Sequence, residues 1–297
     1  MKKIPIVFTF DKRIILGAAT AIKSLIDTAK ATTSYDIYVY HPDISQKYIK
    51  LFEQMISKTN HSIKFEYIDK SKFKDAPINK GGSWTEIVYY RLLIPELLPQ
   101  YDKVIYSDVD VLFTEDMSDI YKTSLNGYEL GAVAAEKNSL ESVGHKYFEE
   151  NKNEYIYWSG FLLMNTELMR ELNFIDRCFA TVKNFNQRLK FFDLDTINIT
   201  SNKIKSLPFK YCTLQSIFYL KELNQATEYI YLKDVYSDEE LIDAKNNPAI
   251  IHYAGKPGKP WRMKKPYPNY KEYIEKVPKE LKKYTFRDIR KRIFSKT

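Results

Sequence analysis

The sequence predicts an α/β protein built on a parallel sheet that is flanked by helices. Short apolar runs of strand length alternate with longer segments of helical period through the first third of the 297-residue chain. Strands that are separated by helices of this length pair in parallel through right-handed crossovers. Hydrophobic residues make up 44% of the chain and charged residues 28%, which excludes a disordered or fibrous protein.

The predicted elements follow one another in a regular order. An apolar strand over 4–10 precedes a helix whose apolar side runs from Ile15 to Ile26. We then predict, in chain order, a strand at 35–40, a helix at 45–58, a strand at 62–68, a helix at 85–98 that Pro95 closes or kinks, and strands at 103–107, 131–135, 160–165 and 249–253. No linker or repeat interrupts this order, so we expect one domain over 1–261 and a basic segment over 262–297.

Positive charge is concentrated at the C-terminal end. Residues 255–297 carry 15 Lys or Arg against 4 Asp or Glu, a net of +11, whereas the preceding 254 residues carry 31 against 34, a net of −3. Aromatic residues are interleaved with the basic ones, a pattern typical of contact with an anionic membrane surface. We expect peripheral attachment to the cytoplasmic face of a membrane, with a solvated basic tail as the alternative. We expect no nucleic-acid partner, because a nucleic-acid binder would leave the acidic residues of the neutral body unexplained.

Two further observations predict a cytoplasmic protein. Cys178 and Cys212 are too few for a disulfide framework and have no zinc-site spacing, so we interpret them as buried thiols. No window reaches the roughly 18 apolar residues of a membrane span, and no signal-peptide pattern begins the chain.

The strongest chemical motif is the pair Asp108 and Asp110. Residues two apart on an extended chain point to the same side, and a buried strand directly precedes this pair. Such carboxylates lie at the carboxyl end of a strand, where open α/β sheets bind ligands. They suit Mg²⁺ or Mn²⁺ that also holds phosphate oxygens, and the alternative is a solvated turn.

A second motif begins at His252, which ends the last apolar run. An imidazole ligand would shift the metal preference towards Mn²⁺, although a hydrogen-bonded core histidine is the alternative. The loop after it contains Gly255 and Lys259, and these could supply backbone N–H groups and a mobile charge to a phosphate.

Three more carboxylates are candidates for binding. Asp11 ends the first strand, where it could accept an N–H group of a base. Asp195 has the position of a helix N-cap, and Asp193 is then free to hold sugar hydroxyls.

Together these blocks resemble glycosyltransferase family 8, the retaining enzymes of the GT-A fold. The resemblance implies a Rossmann-like α/β domain with a mixed, mainly parallel sheet flanked by helices. The resemblance spans about 4–261, and its blocks are 6–11, 90–92, 104–110, 159–165, 193–198 and 252–261. It implies a hexose, galactose or glucose, that moves from a UDP-sugar to a saccharide or lipid-linked acceptor of the cell surface. It also implies Mn²⁺ or Mg²⁺ on Asp108, Asp110 and His252. The other implied donor contacts are Thr9, Phe10 and Asp11 at the uracil end, Val109 near the donor, and Gly255 and Lys259 at its phosphates. The implied catalytic residues are Asp193, Asp195 and Arg91, of which Arg91 lies near the donor.

Two departures from the family pattern bear on activity. Trp158 replaces an asparagine before Ser159, which removes a partner for a sugar hydroxyl. Leu194 replaces a glutamine that some relatives place beneath the anomeric carbon. Leucine can neither attack that carbon nor stabilise charge there, so departure and attack on one face are favoured. A UDP-sugar-binding protein with impaired catalysis is the alternative, and a nucleotidyltransferase is disfavoured because its Gly-rich loop is missing.

Overall fold

The computed structural model describes residues 3–78 and 85–294, and its core is a mixed sheet of seven strands. The strands of the described residues are β1 Ile4–Thr9, β2 Tyr35–His41, β3 Ser62–Tyr67, β4 Val104–Ser107, β5 Val111–Phe113, β6 Leu130–Lys137, β7 Tyr155–Met164, β8 Ile204–Leu207, β9 Thr213–Leu214 and β10 Ile250–His252. In the large sheet the order is β3-β2-β1-β4-β7-β6-β8. Seven of these strands are predicted from the apolar runs, and their boundaries agree to within a few residues, except that β6 and β7 are longer. The sequence does not predict the short strands β5, β8 and β9.

The first half of the large sheet is parallel, as predicted. β2 pairs in parallel with β1 and β3, and β1 pairs in parallel with β4. β7 then runs antiparallel to both β4 and β6. Every residue of β1 and β4 is buried, which explains why these strands have continuous apolar sequences rather than alternating ones.

A second sheet of three strands connects the ends of distant segments. β10 runs antiparallel to β5 and parallel to β9, and His252 is paired with Val111. Since β5 begins directly after Asp110, this pairing brings the end of β10 to the loop that carries the two aspartates. The small sheet therefore positions His252, which is 142 residues further along the chain than Asp110.

Helices cover the faces of the sheets. The α-helices of the described residues are α1 Ile15–Asp27, α2 Gln46–Ile56, α3 Ile94–Leu97, α4 Ser118–Tyr121, α5 Thr166–Glu171, α6 Phe174–Phe185, α7 Asp193–Thr200, α8 Gln215–Tyr219, α9 Tyr229–Leu232, α10 Asp238–Asn246, α11 Pro268–Lys276 and α12 Phe286–Phe294. Short 3₁₀ segments lie at 70–73, 86–93, 209–212, 223–225, 260–262 and 279–281. In the described part of the chain no helix combines the length and apolar character that crossing a bilayer requires.

The single helix predicted over 85–98 is wrong in detail. The chain forms a 3₁₀ segment, Glu86–Leu93, and only then one turn of α-helix, α3. In a continuous α-helix the N–H of residue 95 would bond to the carbonyl of Arg91, but Pro95 has no N–H and its ring clashes there. The carbonyl of Arg91 instead accepts the N–H of Ile94, the tighter 3₁₀ pattern.

The basic C-terminal segment packs on the domain before it reaches α12. Tyr270 and Ile274 of α11, together with Val277 and Leu281, belong to the same buried cluster as α1. Trp261 is 2% exposed and lies against Gly17 of α1, where a Cβ would be 2.8 Å from the indole Cη2. This close approach fixes the loop between β10 and α11.

Candidate active site

The loop after β4 holds Asp108 and Asp110 between two other elements. The backbone N–H of Asp108 donates to the carbonyl of Gly160 in β7 at 2.8 Å, and the carbonyl of Asp110 accepts the N–H of Tyr253 at 2.8 Å. Val109 is 4% exposed and packs inward between them. The apolar residue thus anchors the loop, and both carboxylates project to the same side, as the spacing predicts.

Asp108, Asp110 and His252 converge on one point. Their ligand atoms all lie within 4.8 Å of one another. His252 Nε2 is 3.4 Å from Asp110 Oδ1 and 3.8 Å from Asp108 Oδ2. Two carboxylates and one imidazole nitrogen form a donor set that fits Mn²⁺, and also Mg²⁺ if water completes its shell. The residues present therefore fit a divalent cation.

Two residues to which the sequence assigns no role in the metal site hold His252 in place. Cys212 Sγ lies 3.2 Å from His252 Nδ1, so the thiol contacts the nitrogen that does not face the carboxylates. On the other side, a Cβ at Gly160 would be 2.6 Å from His252 Cε1 and 3.1 Å from Asp108 Oδ2. The 40 residues between Cys212 and His252 leave no local signal for this contact.

Lys259 lies against the same carboxylates. Its ammonium pairs with Asp110 Oδ2 and donates to the carbonyl of Tyr253 at 2.9 Å. Burial acts to raise the pKa of Asp110, but Lys259 and His252 outweigh it and hold that pKa well below its usual range. Gly255, which begins the loop, has a φ of 69°, a conformation that favours glycine.

Arg91 connects Asp108 with Asp193. It is 5% exposed, its Nη2 lies 3.0 Å from Asp108 Oδ1, and its Nη1 lies 3.2 Å from Asp193 Oδ2. The guanidinium also covers the ring of Tyr106, 4.3 Å from the ring centroid. Tyr106 Oη donates to Asp108 Oδ1 at 2.7 Å and lies 3.2 Å from Thr9 Oγ1, so a network of polar groups orients Asp108.

Asp193 and Asp195 have different surroundings in the first turn of α7. Asp193 is 6% exposed, and burial raises its pKa to about 6 although Arg91 lowers it. The cap prediction for Asp195 is wrong, because Phe192 is the N-cap and Asp195 lies inside the helix. The Asp195 carboxylate accepts the backbone N–H groups of Lys190 and Phe191 at 2.6 and 2.8 Å. Asp195 thus stabilises the turn that presents Asp193.

The predicted uracil-end residues lie at the end of β1. Phe10 is fully buried and packs on Phe52, with ring centroids 5.8 Å apart, so its side chain belongs to the core. Asp11 is 5% exposed and accepts the backbone N–H of Arg13 at 2.8 Å and its Nε at 2.6 Å. The structure therefore pairs Asp11 with Arg13.

Comparison with curated proteins gives several glycosyltransferases at low identity. The chain is 24% identical over 263 residues to the glycosyltransferase GlyF of Streptococcus pneumoniae, covering 86% of this chain and 56% of that protein. It is 23% identical over 256 residues to a lipopolysaccharide 1,2-glucosyltransferase of Escherichia coli, covering 84% of this chain and 71% of that one. The chain thus spans little more than half the length of the first of these relatives.

Solved structures and a family model agree with each other. The galactosyltransferase LgtC, in complex with donor and acceptor sugar analogues, superposes with a TM-score of 0.74 at 21% identity over 93% of this chain and 98% of that one. The bifunctional glycosyltransferase WbbM gives 0.70 at 21% over 98% of this chain and 51% of that one. These matches confirm the GT-A fold. The model of glycosyl transferase family 8 matches residues 5–265, and the chain belongs to that family.

Proposed function

We propose that this family 8 glycosyltransferase moves galactose or glucose from a UDP-sugar to a saccharide or lipid-linked acceptor in cell-surface polysaccharide synthesis, with retention of anomeric configuration. The names of the relatives, a lipopolysaccharide glucosyltransferase and a galactosyltransferase, support the hexose and the product class. We further propose that the protein works in the cytoplasm, peripherally on the cytoplasmic face of a membrane.

One observation carries this proposal. Asp108, Asp110 and His252 converge within 4.8 Å, and Arg91 links Asp108 directly to the buried Asp193. Through Arg91, the proposed cation site for a diphosphate is thus connected to the carboxylate that we propose for the sugar. An ion-pair network with a purely structural role would not require three ligand atoms to converge on one point. Nor would it require a neighbouring carboxylate such as Asp193, whose pKa burial raises to about 6.

When a divalent cation is bound to the three ligands, it acts as a Lewis acid that neutralises charge on the leaving UDP. Lys259 and the backbone of Gly255 would donate to the phosphate oxygens, where negative charge grows as the bond breaks. Thr9, Phe10, Asp11 and Val109 would contact the nucleoside through side-chain or backbone groups. The pairing of Lys259 with Asp110 in this structure means that Lys259 would move between carboxylate and phosphate.

The transfer itself would take place on one face of the sugar. The bond from the anomeric carbon to the phosphate oxygen breaks, and its electron pair stays on UDP. The acceptor hydroxyl forms the new bond from the same side, and its proton passes to the departing phosphate oxygen. Asp193 would hold the sugar hydroxyls, and Arg91 would keep Asp193 and Asp108 in register. Leu194 offers no nucleophile, which is consistent with retention without a covalent enzyme intermediate.

A second candidate function is binding of a UDP-sugar without efficient turnover. Trp158 is half-buried and packs on Phe209, with ring centroids 6.1 Å apart, so a rigid indole stands where relatives often place an amide. Together with Leu194, this substitution would leave the cation site intact while weakening contacts to the sugar. Such a protein would bind UDP and Mn²⁺ but release no UDP from any donor.

The test is UDP release from a panel of UDP-sugars with Mn²⁺, with Mg²⁺ and with EDTA. We expect slow hydrolysis of UDP-galactose or UDP-glucose that EDTA abolishes. Asp108→Asn should lower it at least about a hundredfold while the chain stays folded, because the isosteric amide removes a charge from the ligand set. UDP binding without release from any donor would support the second candidate, and equal turnover by Asp108→Asn and parent would refute the metal role.

A further inference from the structure

The last helix, α12, is docked on the protein by its polar side. Asp288 is 1% exposed, and its carboxylate accepts from Arg262 Nε at 2.6 Å and from the N–H and hydroxyl of Thr285 at 2.8 and 2.6 Å. Arg292 reaches back to the carbonyl of Trp261 at 3.5 Å. Thr285 and Asp288 also exchange hydrogen bonds across the first turn, which starts the helix.

The apolar side of the same helix faces solvent. Phe286 is 83% exposed, Ile289 46% and Ile293 64%. Residues at these spacings, three and four apart, form one stripe along a helix. A surface helix of a globular protein normally buries such a stripe and exposes its polar side, so α12 is turned the opposite way.

Basic residues lie beside this stripe and face a cavity. The cavity, of about 470 Å³, lies between α12 and the loop after β10, and five of its eight lining residues are basic: Lys259, Arg262, Arg287, Arg290 and Lys291. Arg290 is four residues after Phe286 and three before Ile293, which places it along the edge of the stripe. Arg290 therefore lies between the apolar stripe and the basic cavity, which are next to each other around α12.

We infer that α12 lies in the surface of an anionic bilayer, with Phe286, Ile289 and Ile293 in its apolar boundary and a lipid phosphate in the basic cavity. The inference rests on the proposed function in one respect only: the proposed acceptor is lipid-linked, and the membrane contact gives it a place to approach the site. An interfacial helix combines an apolar stripe with flanking Lys and Arg in this way. Because Lys259 belongs to the cavity wall and pairs with Asp110, a lipid phosphate held there lies beside the cation site.

The exposed aliphatic residues decide between this partner and two others. Nucleic acid would engage the cations and aromatic rings, but Ile289 and Ile293 offer it neither charge nor a stacking surface. If a second copy of the chain bound here, residues 255–297 of both copies, each with a net charge of +11, would face each other and repel. An anionic bilayer satisfies both the charge and the apolar stripe.

The experiment is sedimentation of the full chain with phosphatidylcholine vesicles that contain either no or a third phosphatidylglycerol, without any nucleotide sugar. We expect binding to the anionic vesicles only, weakened by NaCl. Each basic residue near an anionic surface strengthens binding about fivefold, so Arg290→Gln with Lys291→Gln should weaken it roughly 25-fold. Ile289→Ser with Ile293→Ser should weaken it at least about tenfold.

Matched variants separate these effects from general changes in charge and surface. Lys47→Gln with Lys50→Gln removes two exposed charges from α2, and Leu140→Ser with Ile242→Ser removes two exposed apolar side chains elsewhere. Both controls should bind vesicles as the parent does, and thermal melting should show that every variant keeps its fold.

Three results would overturn the inference. These are no binding by the parent, equal binding to neutral vesicles, and unchanged binding by the Ile289→Ser, Ile293→Ser variant. Binding of polyuridylate as tight as vesicle binding, lost in the Arg290 variant and kept in the isoleucine variant, would assign the face to nucleic acid instead. UDP release without vesicles should be the same in the isoleucine variant and the parent. A parent that binds vesicles but releases no UDP would refute the proposed function and leave this inference standing.

Discussion

The charges of the site are balanced around one residue, Arg91. Its guanidinium lies 3.0 Å from an oxygen of Asp108 and 3.2 Å from an oxygen of Asp193. Arg91 belongs to the 3₁₀ segment 86–93, Asp108 to the loop after β4 and Asp193 to the first turn of α7. A buried cation between two carboxylates offsets part of the cost of ionising both. The site therefore keeps Asp193 charged near neutral pH, at an energetic cost to the folded state.

That cost predicts the effect of Asp193→Asn on stability. The pKa of Asp193 is about 6 in the folded protein against an ordinary value of 3.8, so ionisation destabilises the fold above pH 6 and this penalty is relieved as pH falls towards 4. We expect the variant to lose turnover and yet to gain up to about 3 kcal/mol in free energy of unfolding at pH 8. Urea unfolding in EDTA would measure this gain, which should vanish near pH 4.

Asp116 supplies a control of opposite sign. Burial acts to raise its pKa, but hydrogen bonds from Ser118 and Lys30 outweigh burial and lower it. Ionised Asp116 therefore stabilises the fold above its unfolded pKa, and Asp116→Asn should destabilise at pH 8. A loss of stability in both variants would show that Asp193 is an ordinary structural carboxylate.

Cys212 is predicted to position the metal ligand His252. Partners of the second ring nitrogen orient metal-bound histidines, and their loss usually costs 10- to 100-fold in metal affinity. We expect Cys212→Ala to weaken Mn²⁺ binding at least about tenfold and Cys212→Ser to recover part of it. Cys178→Ala removes the other buried thiol and should lower stability only. Equal loss of Mn²⁺ affinity in both alanine variants, measured by titration calorimetry, would contradict this role.

At the scale of elements, local sequence predicts the strands well and the contacts between them poorly. β1 and β4 are continuous apolar runs, and the aspartates that follow β4 are visible in the sequence because strand and loop are adjacent. The contact of Cys212 with His252 depends on β9 and β10 pairing, which no local pattern specifies. The cap prediction for Asp195 failed because the N-cap lies three residues earlier, at Phe192 with a φ of 46°.

Because α1 packs closely on the loop after β10, we predict that a glycine-to-alanine substitution in this helix lowers the free energy of unfolding, the opposite of the usual effect. Gly→Ala within a helix normally stabilises by about 1 kcal/mol. At Gly17 the new Cβ would be 2.8 Å from the ring of Trp261, and a rigid indole cannot yield cheaply. We expect Gly17→Ala to destabilise by about 1–3 kcal/mol in urea unfolding and to raise the KM for the donor, because Trp261 anchors the loop of Lys259. Higher stability in Gly17→Ala would mean that the loop moves freely.

At the scale of the whole molecule, the neutral body and the basic segment meet at the active-site loop. The segment of net charge +11 begins at Gly255, directly after the strand of His252. The same loop carries Lys259, which pairs with Asp110, and Arg262, which holds α12 through Asp288. The charge asymmetry is visible in the sequence. Only the folded chain shows that one loop contacts the active site through Lys259 and α12 through Arg262.

The central claim is that Asp108, Asp110 and His252 hold a divalent cation for a nucleotide-sugar donor. The most direct measurement is a Mn²⁺ titration followed by the electron paramagnetic resonance signal of free Mn²⁺, with and without UDP. We predict that UDP tightens Mn²⁺ binding to the parent, and that Asp110→Asn weakens binding at least about a hundredfold. Asp119→Asn, at an exposed carboxylate of α4, should bind Mn²⁺ as the parent does. Unchanged Mn²⁺ affinity in Asp110→Asn would contradict the claim.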